Sequence, residues 1–155
     1  MYTLKKLPFS FYELEPFIDT HTIGLHYYKH QASYLTNLNK ILENYNLNYP
    51  IENLYNHLNE IKEEDKNDVI FYLGGVTNHD LYWETINPNN KEKPKGKLLD
   101  AINKKYGSID NLWNEFKNLT TNLKGSGYVF LIKDKNNNID LMTTSNQDSP
   151  RLYGF

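Results

Sequence analysis

Apolar residues recur at helical spacing through most of this chain and change to strand-like runs only towards its end. Ile23, His26, Tyr27, His30, Tyr34, Leu38 and Ile41 fall on one face and predict a long helix over about 22–45, with Thr20 as its N-cap. Before it, residues 8–19 hold Pro8, Pro16 and scattered aromatics and read as an extended lead-in. Asn44 to Pro50 interrupts the pattern, and Leu54, Leu58 and Ile61 mark a short helix over 51–61. Glu63 to Asp68 reads as a charged turn. A further helix over about 67–86 carries Val69, Ile70, Leu73, Val76, His79, Tyr82 and Trp83. Gly74-Gly75 inside it costs about 1 kcal/mol per glycine relative to alanine. Such a pair implies that another backbone or a ligand packs very close to the helix at that point.

Asn87 to Gly96, with Pro88, Pro94 and a lysine-rich centre, reads as a linker between domains. Two helices follow, over about 96–106 and 109–123. Ser108 caps the second, and Leu112, Trp113, Phe116 and Leu119 are assigned to its buried side. Tyr128–Lys133 and Ile139–Thr144, joined through Asn136-Asn137-Asn138, predict a β-hairpin. The predicted class is therefore α+β: a helical hairpin domain over 1–88, then an α/β domain with a β-hairpin over 96–155. An isolated two-stranded hairpin is marginal in water and its outer edge lacks a partner, so the second domain reads as incomplete.

Composition narrows the function classes. The 155 residues carry a formal net charge of -2, which offers no basic patch for nucleic acid and no polybasic membrane anchor. No run approaches the ~20 apolar residues of a membrane span, and the N-terminus lacks a signal-peptide pattern, so a cytoplasmic location is expected. The absence of cysteine excludes disulfides, thiolate metal sites and a cysteine nucleophile.

The remaining chemistry lies in the histidines. His21 and His57 have the ordinary reading of surface or hydrogen-bonded residues. His26 and His30, four apart, would share one helix face and form an edge of a metal site, although no HExxH pattern is present. Leu25-His26 with Lys29-His30 and Tyr34, followed downstream by Gly74-Gly75, Asn78-His79 and Trp83, is a long compound pattern. Around it stand Leu7-Pro8-Phe9, Leu14-Glu15-Pro16, Gly107-Ser108-Ile109-Asp110, Gly125-Ser126-Gly127-Tyr128 and Asn146-Gln147-Asp148. In that order, and over essentially the whole chain, these segments resemble the iron/manganese superoxide dismutases.

The resemblance implies a metal-dependent disproportionation of superoxide to dioxygen and hydrogen peroxide. His26 and His79 match two metal ligands of the family, His30 and Tyr34 match an outer-sphere pair with Tyr34 as proton donor, and Gln147 matches the glutamine that orients metal-bound solvent. Trp83 matches an aromatic wall beside the ligands. Tyr128 and Phe130 stand where the family often has tryptophan. Gly75 together with Gln147 resembles the manganese arrangement, so manganese is favoured and iron kept open. The family also draws an Asp and a His from an Asp-x-Trp-Glu-His segment, and it forms homodimers through contacts that use that segment. The sequence reaches Phe155 without it, so a truncated site, impaired dimerisation and little or no activity are expected of these residues alone. Asp148 and Glu84 are the carboxylates available to complete the shell. The alternatives are an inactive remnant or helical interaction module, or a site completed by a second polypeptide.

Overall fold

The computed structural model describes residues 1–86, 88 and 92–155, and the expected linker falls partly on 87 and 89–91, outside them. The chain forms two compact units, Met1–Asn90 and Lys91–Phe155. In the first, α1 (Thr20–Leu25), a π-helical turn (His26–Gln31) and α2 (Ala32–Leu42) run on as one helix. A 3₁₀ segment (Ile51–Glu60) and α3 (Glu63–Thr85) follow. The second unit holds α4 (Gly96–Tyr106), α5 (Ile109–Asn122), strands β1 (Gly127–Lys133) and β2 (Ile139–Ser145), and a short 3₁₀ turn (Pro150–Tyr153). This is an α+β architecture with one two-stranded antiparallel sheet among the described residues.

Local chemistry explains several departures from the sequence reading. The lead-in is not extended: turns closed by Ser10, Tyr12 and Leu14 carbonyls fold it so that Leu14 is buried. Asp19, not Thr20, caps the first helix, accepting from the Thr22 backbone N–H at 2.9 Å. Thr20 is instead held by Glu15, which accepts from both its N–H and its hydroxyl. The charged stretch after Ile61 is the first turn of α3, where Glu63, Glu64 and Asp65 lie at the positive end of the helix dipole. The 51–61 helix is 3₁₀, with a kink at His57, whose ring stacks on Tyr49 at 3.6 Å.

The α2–α3 core joins Leu35 and Leu38 to Leu54, Ile61, Val69, Leu73 and Val76. A second cluster, Leu14, Ile23, Tyr27 and Trp83, seals the N-terminal end against Leu7, Phe9 and Phe11. Between them α2 approaches α3 so closely that a Cβ on Gly75 would lie 2.8 Å from Tyr34 Cδ2, and nearer still to its Cγ and Cδ1. The paired glycines thus mark a close approach, and the approaching group is an aromatic ring.

In the second unit Ile102, Leu112 and Ile139 form the core. Trp113, placed by pattern on the buried side, is 55% exposed. It lies a single residue from the buried Leu112, off the core-facing stripe, and lines an open apolar hollow of about 590 Å³ with Leu98, Leu99 and Leu131. The strands pair from Gly127↔Ser145 to Lys133↔Ile139. Asp134 closes the turn, its carboxylate accepting from the backbone N–H of Asn136 and of Asn138, each at 2.8 Å. Gly127 is required at the strand start, because a Cβ there would collide with the Thr144 carbonyl.

Helix propensity alone would make Gly75→Ala stabilising by about 1 kcal/mol. Overlap with three atoms of the Tyr34 ring reverses the sign. We expect Gly75→Ala to destabilise by about 1–3 kcal/mol in urea unfolding. In a Tyr34→Ala background the same substitution should be neutral or stabilising. A stabilising Gly75→Ala in the otherwise unaltered chain would show that the ring is not seated there.

Candidate metal centre

The π-turn sets the site's first edge. Its wider i→i+5 winding brings positions four apart close to register along the axis. His26 and His30 therefore stand one above the other with ring centroids 5.4 Å apart, while Tyr27 and Gln31 turn into the core. Tyr34, one turn on, meets His30 edge-on at 5.0 Å, its hydroxyl 3.4 Å from His30 Nε2. The facing helix α3 supplies His79, 3% exposed. Its ring lies 4.8 Å from that of His26 and 5.1 Å from that of His30.

Hydrogen bonding fixes the ring that matters most. His79 Nδ1 is 2.5 Å from the Gly75 carbonyl. A carbonyl only accepts, so Nδ1 carries the proton and Nε2 presents its lone pair. That lone pair faces His26 Nε2 across 2.9 Å. Two lone pairs at that distance repel, so either His26 supplies a bridging proton or a cation takes its place. Metal–imidazole bonds of ~2.0–2.1 Å at right angles place their nitrogens about 3 Å apart. The pair therefore fits one first-row metal ion, which is well suited to neutral imidazole. The donor atoms of His26, His30 and His79 all lie within 4.8 Å of one another, and among the described residues this is the set of at least three His, Cys, Asp or Glu side chains that could share a metal.

The electrostatics agree with neutral donors. Burial holds the His79 imidazole down at about 4 from the ordinary 6.5, with the neighbouring His26 and His30 adding to the effect. Burial, then the nearby His30, lowers His26 as well. Trp83, 2% exposed, closes the apolar side and meets His26 edge-on at 4.9 Å.

Of the sequence candidates, His26, His30, Tyr34 and His79 converge in the first unit. Gln147 lies in the second, buried, with Tyr128 donating to its Oε1 at 3.0 Å. Asp148 is half-buried beside it, and the segment from Gln147 to Pro150 is packed down, not a loose tail. Two residues escaped the sequence reading. Gln31 is fully buried and donates to Asp80 at 2.6 Å, and burial pushes the Asp80 carboxyl up to about 6 from 3.8. Their signal was present: Gln31 is the polar member of the stripe Tyr27, Gln31, Leu35, Leu38, and Asp80 continues the stripe Leu73, Val76 towards Trp83.

Residues 1–87 match the family model described as iron/manganese superoxide dismutases, alpha-hairpin domain, and residues 94–154 match its C-terminal domain. The chain is similar to superoxide dismutase (Mn/Fe) 2 of Staphylococcus aureus strain bovine RF122 / ET3-1, with 36% identity over 154 residues, covering 99% of this chain and 76% of that protein. The proteins of the same description from strains Mu50 / ATCC 700699 and N315 are 35% identical over the same shares.

Buried His79 and half-buried Asp80 set opposite pH dependences in the metal-free chain. Between pH 6.5 and about 4 the unfolded chain protonates His79 while the folded chain does not, so stability falls with pH. Between about 6 and 3.8 the folded chain protonates Asp80 first, so stability rises as pH falls. Asp80→Asn removes the second effect. Its stability should therefore decline more steeply than the parent's on acidification from pH 6 to 4, read from urea midpoints. Parallel declines would show that Asp80 is not desolvated.

Proposed function

This chain belongs to the iron/manganese superoxide dismutase family, and we propose that it holds its manganese or iron between His26 and His79 and serves superoxide disproportionation. The observation that carries the assignment of ligands is the 2.9 Å separation of the two Nε2 atoms, with the His79 tautomer fixed by Gly75. When bound, the metal supplies one-electron redox chemistry, so that two superoxide anions and two protons give dioxygen and hydrogen peroxide.

The chain's own residues have separable tasks in this proposal. His79 is the rigid donor, buried and locked at Nδ1. His26 would hold the metal as the neutral tautomer with its proton on Nδ1, which leaves the Nε2 lone pair for the ion. Trp83 and Tyr27 keep bulk water from the buried side. Tyr34 offers its hydroxyl proton to reduced substrate, and His30, exposed to solvent and 3.4 Å away, returns one to it. Gln147, whose Oε1 accepts from Tyr128, is assigned the orientation of solvent from its place in the family pattern alone. The two ligating imidazoles, His26 and His79, bring no charge, and they leave positions open for solvent, substrate or donors from outside these residues.

We favour manganese over iron. The typical iron arrangement places a glutamine from the helix at the Gly75 position. Any side chain there would have to displace the Tyr34 ring. The cytoplasm is the proposed compartment and the homodimer the proposed assembly. No described helix is long and apolar enough to cross a membrane.

Metal content per chain tests the reading, with His79→Ala as the control. We expect manganese or iron in the parent preparation and only background in His79→Ala, with superoxide turnover following the metal. Equal metal in both would remove His79 from the site. Bound metal with turnover no higher than that of the free ion would refute the assigned reaction. Tyr34→Phe should keep the metal and slow the proton-dependent half of the cycle, by about 10²–10⁴-fold if general-acid transfer is its whole role.

A further inference from the structure

We propose that Gln31 and Asp80 are positioning residues that hold the Trp83 indole, and through it the ring of His26, in the orientation the metal edge needs. The proposal rests on the reading of His26 as a donor, but its geometry stands without the metal. Trp83 Nε1 donates to Gln31 Oε1 at 2.7 Å. Gln31 Nε2 donates to Asp80 Oδ1 at 2.6 Å and lies a marginal 3.5 Å from the Val76 carbonyl. An indole N–H can only donate, so the amide must turn its oxygen to Trp83 and its nitrogen to Asp80. The chain of bonds therefore has one direction and one geometry.

The π-turn makes it possible. Gln31 is its last residue and is 0% exposed, while His30 immediately before it is exposed. The Trp83 ring then lies between this clamp and the site, edge-on to His26 at 4.9 Å with an interplanar angle of 70°. Phe9 meets the indole at 6.3 Å and limits retreat. Two apolar side chains of the same volume at 31 and 83 would fill this space without burying polar groups. What an apolar pair cannot supply is a fixed rotation of the indole about its own axis. Partners that orient metal-ligating histidines commonly alter affinity by about 10–100-fold when removed. Trp83 would exert that influence by packing rather than by a bond to the imidazole.

The test uses the full chain, metal-free, followed by Mn(II) titration. Gln31→Met is nearly isosteric and removes both bonds; Asp80→Asn keeps a carbonyl oxygen for Gln31 to donate to. NMR at one fixed pH reads the Trp83 indole N–H and the His26 ring protons, with the Trp113 indole of the second unit as internal control. We expect Gln31→Met to move both the Trp83 and His26 resonances, leave Trp113 in place, and weaken Mn(II) binding about 10–100-fold. Asp80→Asn should preserve the His26 resonances and bind within a few-fold of the parent. If Gln31→Met does not fold, Trp83→Phe, which drops the N–H and keeps an aromatic ring, should move the His26 resonances in its place. A shifted Trp83 with unmoved His26, or an unmoved Trp83, overturns the proposal. A parent that binds no Mn(II) defeats the metal-site reading, and the His26 resonances still decide whether the clamp positions that ring.

Discussion

The close approach of α2 and α3 at Gly75 is the constraint on which the rest of the first unit depends. The Tyr34 ring lies against bare helix backbone, because there is no side chain to hold it off. That contact sets the distance between the helices, and the distance sets the His26–His79 separation. The same residue acts twice, since the Gly75 carbonyl accepts a hydrogen bond from His79 Nδ1–H. Glycine thus supplies both the spacing and the tautomer, and the cost of a glycine within a helix, about 1 kcal/mol, is small beside what it permits.

Burial then determines charge. An imidazole deep between two helices is easier to keep neutral than to protonate, and neutral imidazole is what a metal ion requires. The adjacent Asp80 carries the opposite liability, a carboxyl that burial discourages from ionising. Gln31 answers it with an amide N–H, at the position where the π-turn swings the backbone inwards. Site and scaffold are continuous here. The π-turn that aligns His26 with His30 also delivers Gln31 to Asp80 and Trp83.

Much of this was legible in the amino-acid pattern. The helical stripes placed His26, His30, Tyr34 and His79 on faces that do converge, and Gly74-Gly75 signalled the close approach. The hairpin was clear from its β-branched and aromatic runs and its asparagine turn. Other features were hidden for physical reasons. A π-turn has no hydrophobic period of its own, so the break at His26–Gln31 looked like continuous helix. Glu63 to Asp68 read by charge as a turn, although acidic residues are also what the first turn of a helix favours. Thr20 reads as the cap by residue type, but Glu15 occupies the threonine and Asp19 takes the role. Gln31 and Asp80 are polar, and polarity alone points to the surface; only the hydrogen bond between them makes their burial tolerable.

Both halves of the chain match the family, yet the imidazole cluster belongs wholly to the first unit. The central claim is accordingly narrow: one metal ion is held by His26 and His79 together. X-ray absorption on the manganese-loaded chain tests it most directly, because outer-shell multiple scattering counts imidazole ligands. The account requires at least two imidazoles on the ion in the parent, and one fewer in His79→Ala at whatever occupancy remains. An unchanged imidazole count in His79→Ala would contradict it.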